Sequence, residues 1–207
     1  MPQAVSTGSS GSTSTMREAI VDAALSILHT EGAAALTVRN ITEAAGCSTT
    51  GIYTHFGGKA GVIEAIYLDG FASFDAALAA AYDLDFIESG RVYRRWALEH
   101  PTQYMVMFGR AVPDFEPSAD AAMQAAVAFD RLVQSIRKSG AFPDNEAELW
   151  AYHVFATVHG YVMLELSTGS SPVGDLEARY ERMLVSMLLP SHESTPAGRG
   201  VSGDRTG

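Results

Sequence analysis

Thr37 and Ser48 each stand just ahead of a short run with apolar residues at helical spacing, and Gly46 separates the two runs. A hydroxyl in that place accepts a hydrogen bond from an unpaired amide of the first turn, so the pair predicts the starts of two short helices. Gly46 supplies the left-handed backbone that a tight turn between them requires. Val38, Ile41 and Ala45 share one face of the first helix, and Ile52 can seal against Ile41 from the second. That packing turns Thr49, Thr50, Gly51, Tyr53 and Thr54 outward. Two such helices around a glycine have helix-turn-helix spacing. Short polar side chains on the second helix suit groove entry, with hydroxyls for phosphates or base edges and methyls for thymine.

The remainder predicts an all-α chain. Val, Ile and Thr nowhere gather into alternating stretches bounded by turns, so strands have no support. Thr15-Met-Arg-Glu18 has capping-box spacing and predicts the start of the first helix, with Ile20, Ala24, Ile27 and Leu28 on its apolar face and Gly32 as its stop. Gly57-Gly58 ends the helix after Ser48, and a long helix follows from Lys59 to Tyr82. Five more are expected, over about 85–99, Pro101–Gly109, 118–139, Asp144–Ser167 and Asp175–Leu189. The Gly/Ser/Thr-rich segment 1–14 and the tail 191–207 are expected to be disordered. Between them, 15–62 reads as a DNA-binding head and 63–190 as a second helical domain.

The segment Leu36–Lys59, LTVRNITEAAGCSTTGIYTHFGGK, resembles the N-terminal DNA-binding domain of the tetracycline-repressor family. The matching features are Leu-Thr-x-Arg, Ala-Gly-x-Ser, Gly-Ile-Tyr-x-His-Phe and a Lys three residues later. The resemblance implies DNA contact by Thr37, Arg39, Ser48, Thr49, Thr50, Gly51, Tyr53, Thr54 and Lys59; His55 caps or packs as readily as it touches the backbone. Two positions depart from the pattern. Thr42 stands where a small Ala is usual, and Gly57-Gly58 replaces a polar pair, which is expected to loosen that corner. YRRWALEHP, from Tyr93 to Pro101, then QYMVMFG, resembles ligand domains with a C-terminal Trp-x-x-x-His-Gly motif, represented here by Phe155-Ala-Thr-Val-His159-Gly160. The resemblance implies a homodimer on palindromic operator DNA, acting as a repressor that a small apolar or aromatic effector releases. Trp96, Met105, Phe108 and Phe155 are the expected effector contacts, with His159 as polar anchor or as an ordinary core histidine. Ile66, Phe71 and Phe74 on the long helix are expected to pack in the ligand domain, and the helices at 144–167 and 175–189 to pair two copies.

Charge bears on the DNA assignment from the other side. The chain carries a net −10, and its first sixty residues hold Arg17, Arg39 and Lys59 against Glu18, Asp22, Glu31 and Glu43. A field of that sign excludes a non-specific nucleic-acid coat, and places any attraction for phosphate in a few local groups. Cys47 is expected to be a small buried hydrophobe in the motif. A helical-bundle enzyme, or an interaction module without DNA binding, is the alternative. An enzyme needs convergent acid, base or metal residues, and no His-Glu-x-x-His, paired Cys, Walker loop or Gly-x-Ser-x-Gly occurs. No metal or cofactor is therefore expected. No run of about eighteen apolar residues and no signal-like start point to a membrane or to export, so a cytoplasmic location is expected.

Overall fold

The protein is described from a computed structural model, which covers residues 10–82, 85–168 and 174–188. Nine α-helices and two 3₁₀ turns make up these residues, with no strand among them. In chain order the helices are α1 (Ser10–Thr30), α2 (Val38–Ala45), α3 (Thr49–Phe56), α4 (Lys59–Tyr82), α5 (Phe86–Glu99), α6 (Pro101–Phe108), α7 (Ala119–Ser139), α8 (Ala147–Thr168) and α9 (Leu176–Met187). The 3₁₀ turns, Ala33–Ala35 and Asp144–Glu146, precede α2 and α8.

Local chemistry sets most of the boundaries. Thr37 Oγ1 accepts from the Asn40 amide at 3.1 Å, and Ser48 Oγ from the Gly51 amide at 3.2 Å. Asp85, Ser118 and Asp175 cap α5, α7 and α9 in the same way. Helix α1 is a correction: it starts at Ser10, ahead of the Thr15 capping box. No proline lies in between, and a helix anchored by a packed segment adds turns outward at little cost. Residues 1–9 and those from 189 onward lie outside the described residues, as do residues 169–173.

Two apolar cores hold the helices. The first gathers Ile20, Ala24 and Ile27 of α1, Ile41 of α2 and Ile52 of α3 with Val62, Ile63 and Ile66 of α4. It also takes in Val106 of α6, Val112, and Ala121 of α7, so its packing does not part at residue 62. The second is built from Phe74 and Leu78 of α4 with the inner faces of α5, α6, α7, α8 and α9. Helix α4 thus belongs to both. Ile66, expected in the second core, is fully buried in the first, and Phe71 packs against both.

The junction of α3 with α4 is the tightest place in the head. A Cβ added at Gly61, in the first turn of α4, would lie 1.8 Å from the Phe56 carbonyl oxygen. No side chain can occupy that space unless the two helices separate. Gly61→Ala is therefore expected to cost about 1–3 kcal/mol, as overpacking against rigid backbone does. Urea denaturation of the wild type and the variant measures it.

Candidate nucleic-acid interface and interhelical cavity

Ile41 and Ile52 are both fully buried and lock α3 onto α2. With Ile52 and Phe56 turned inward, Thr49, Thr50, Tyr53 and Thr54 share the opposite, exposed face of α3. Tyr53 is 59% exposed, unusual for a ring of that size. The Gly-Gly corner lies beside it. Gly57 closes α3 at φ 70°, its amide donating to the Tyr53 carbonyl at 3.0 Å. Gly58, at φ 133°, is buried, and a Cβ there would come within 3.5 Å of Tyr53 Cε1. Thr42 is accommodated by donating its hydroxyl to the Arg39 carbonyl at 2.8 Å. Thr37 and Ser48 are exposed, and each cap uses only an oxygen lone pair on its amide, which keeps the hydroxyl proton for an outside acceptor. Arg39 and His55 are exposed; Gly51 and Lys59 are half-buried. Cys47 is half-buried at the edge of the head core, not sealed inside it.

The third cation of the head points elsewhere. Arg17 donates to both Asp69 oxygens, at 3.0 and 3.2 Å, and its guanidinium lies 5.8 Å from the centre of the Phe56 ring. It therefore ties α1 to mid-α4 and rests on the end of α3. Two further polar contacts join the head to the helices below: His29 Nδ1 to Thr102 Oγ1 at 3.1 Å, and Ser118 Oγ donating to Glu64 at 2.7 Å.

Beneath the head, α4, α5, α7 and α8, with Phe108 of α6 and Leu184 of α9, line a cavity of about 210 Å³ that is partly open to the surface. Phe71, Phe74 and Leu78 form its α4 wall, and Phe129, Leu132 and Ser135 its α7 wall. Of the five expected effector contacts, Phe108 and Phe155 line it. Trp96 and Met105 do not. Trp96 is 4% exposed, packs edge-on to Phe74 and donates from Nε1 to Ser73 at 3.1 Å. Met105 folds back against Gly109. His159 sits behind the wall, stacked on Phe155 with ring centres 5.4 Å apart. Most of the lining was not singled out from the sequence: Leu78 of α4, Phe86, Ser89 and Gly90 of α5, Val154 and Val158 of α8, and a run on α7. Ala125, Ala128, Phe129, Leu132 and Ser135 follow helical spacing, but alanine and serine give no sign of lining a space.

A buried polar chain backs this wall. Tyr93 and Tyr104 hydroxyls are 2.7 Å apart, and Tyr104 Oη is 2.6 Å from His159 Nδ1. Burial favours neutral His159, and a phenol is a stronger acid than a neutral imidazole N–H, so in the tautomer that leaves Nδ1 bare Tyr104 donates to it and accepts from Tyr93. Burial lowers the His159 pKa below its usual 6.5 and raises that of Tyr104.

An exposed polar helix seated on a supporting helix, turned out by one sealed isoleucine pair, defines a helix-turn-helix DNA-binding protein. Comparison with known proteins agrees. Residues 20–66 match the bacterial regulatory proteins of the tetR family, and residues 86–187 the tetracyclin repressor-like C-terminal domain. An uncharacterised HTH-type transcriptional regulator of Mycobacterium tuberculosis is 25% identical over 191 residues, covering 90% of this chain and 86% of its own. The crystal structure of the regulatory protein SCO4313 superimposes with a TM-score of 0.78 at 25% identity, over 88% of this chain and 99% of that one. A TetR family regulator from Streptomyces coelicolor A3(2) shares the fold at 20% identity, with a TM-score of 0.60 over 83% of this chain and 96% of its own. The chain belongs to the TetR family of transcriptional regulators, a family of non-enzymes with an N-terminal DNA-binding domain. Among the described residues no helix is long and apolar enough to cross a membrane, and no group of three metal-ligating side chains forms.

The His159 environment has a measurable sign. A histidine whose folded pKa is depressed binds fewer protons folded than unfolded, so its stabilisation is complete above 6.5 and is lost as pH falls through the lowered value. His159→Gln keeps an acceptor for Tyr104 and removes the titration. Thermal melts from pH 8 to pH 5 should show a smaller acid-side loss for the variant than for the wild type.

Proposed function

We propose that the protein is a repressor that binds a two-fold operator as a homodimer and is released when a small effector fills the α4–α8 cavity. One observation carries this reading: α4 lends Val62, Ile63 and Ile66 to the core of the head, and Phe71, Phe74 and Leu78 to the cavity wall. A molecule that moves the wall moves the seat of the reading helix. Phe108 meets Phe71 at 5.3 Å, and Phe71 meets Tyr67 at 4.9 Å, so packed rings continue from the cavity into the head. The effector must favour the DNA-incompetent spacing, by about 1–3 kcal/mol for ordinary coupling, and operator must weaken effector binding by the same factor.

On DNA, α3 enters the major groove, with Thr49, Thr50 and Gly51 at the bases and Thr54 beside them. Thr37, Arg39, Ser48, Tyr53, His55 and Lys59 hold phosphates. Arg39 and Lys59 form no ion pair among the described residues and keep their charge for this role. Lys59→Ala is expected to weaken binding to every sequence and to reduce the salt slope by about one ion. Thr49→Ala and Thr50→Ala are expected to change preference at single base positions, by about 1–3 kcal/mol. Binding of each variant to an operator library at several salt concentrations separates the two classes. A Lys59→Ala protein with altered preference and an unchanged salt slope contradicts this docking.

Pairing of two copies is assigned to α8 and α9. Leu149 and Tyr152 on α8, Val185 on α9 and Leu188 at its C-cap are 52%, 61%, 50% and 37% exposed. Such side chains at helical spacing on neighbouring helices suit a four-helix bundle between protomers. The two reading helices would then meet half-sites about 34–36 Å apart, or a multiple of that. Val185→Glu should give monomers in light scattering and lose operator binding while α-helical content is retained.

A further inference from the structure

The proposal that the cavity holds the effector leaves the effector's chemistry open, and the wall restricts it. No Asp, Glu, Lys, Arg or His lines the cavity. Its surface is aromatic rings, among them Tyr93 with its hydroxyl already bonded to Tyr104, aliphatic side chains and two serines, Ser89 on α5 and Ser135 on α7. These serines, 7% and 9% exposed, are the buried polar side chains of the described residues outside the aromatic set, and both line this one cavity. Ser89 donates its proton to the Asp85 carbonyl at 2.8 Å, which leaves it an acceptor towards the cavity. Ser135 brings a hydroxyl from the opposite helix.

An ion placed here would lose its hydration and find no counter-charge. Nor does the adjoining groove between α4 and α7 supply one. It shares Phe71 and Ala128 with the cavity and includes Asp75, whose carboxylate already neutralises Arg131 at 2.6 Å. An acid whose head reached that mouth would meet the Asp75 carboxylate beside Arg131, and an amine would meet Arg131 beside the carboxylate. Size gives the second limit. An apolar cavity of about 150 Å³ holds one benzene ring of six non-hydrogen atoms, so about 210 Å³ holds about eight, and the open mouth of this cavity leaves room for a few more.

We infer that the cavity takes an uncharged molecule the size of two fused rings, carrying one hydrogen-bonding group for Ser135 and Ser89, and rejects acids and amines of the same shape. The inference rests on the effector reading for its biological use, though not for its chemistry.

Calorimetry with the full chain at pH 7 tests it, using naphthalene derivatives as probes. β-Naphthamide and β-naphthoate have one shape and differ in charge; β-naphthol and β-methylnaphthalene differ in the hydrogen-bonding group. The amide is expected to bind at least about a hundredfold more tightly than the carboxylate. Ser135→Ala is expected to weaken β-naphthol by about three- to tenfold, the worth of one net hydrogen bond, and to leave β-methylnaphthalene unchanged. The unchanged hydrocarbon shows that the variant's cavity is intact. Equal binding of amide and carboxylate overturns the charge selection. Equal effects of Ser135→Ala on naphthol and hydrocarbon overturn the polar contact, and failure of every neutral probe to bind overturns the size class. Repeating the titrations with operator present separates this inference from the effector reading. A neutral probe that binds with the expected selectivity and leaves operator affinity unchanged supports the ligand class and removes the release mechanism.

Discussion

Everything in this molecule is referred to one helix. Helix α4 begins against the backbone of the reading helix, with no room at Gly61 for even a methyl group, and ends in the wall of the cavity. Close-packed interiors do not absorb such contacts by deforming a little; they hold one arrangement or shift to another. The head is therefore a rigid attachment to α4, not a bead on a linker. Arg17 fixes the same relationship from outside the core, since its bonds to Asp69 and its place on Phe56 join α1, α3 and α4 in one contact set.

The electrostatics of the head follow from that arrangement. Of its three basic residues, Arg17 is committed to an internal pair, which leaves Arg39 and Lys59 facing outward on an acidic molecule. Two cations and a set of hydroxyls and amides make a weak long-range attraction and a demanding short-range fit. A head of that kind gains most of its hold from being correctly seated, so small changes in the position of α3 carry large consequences for occupancy.

How much was legible beforehand depends on whether the signal was local. Thr37, Gly46 and Ser48 act on their own neighbours, and the structure has them where spacing put them, with caps and a left-handed glycine. The sealed pair Ile41 and Ile52 followed from the same spacing. The cavity did not, because a cavity is defined by side chains that are small or face one another across long separations. Trp96 and Met105 are large and apolar, and they fill space elsewhere; Ala128 and Ser135 leave space open and look unremarkable in sequence. The start of α1 was missed for a different reason. A capping box marks a favourable place to begin a helix, but the residues before it, which hold no proline after residue 2, let this one run back to Ser10.

The membership of the head core has a consequence for how such proteins can be recombined. Val106, Val112 and Ala121 come from beyond α4, yet they complete the apolar interior beneath the reading helix. A chimera cut at residue 62 would graft a head onto a seat shaped for a different one and leave apolar surface unmatched on both sides. Heads in this architecture are thus not freely exchangeable cassettes. With α3 docked as proposed above, a new operator preference is expected more readily from point changes on its outer face, where Thr49, Thr50 and Thr54 touch neither core, than from exchange of the whole domain.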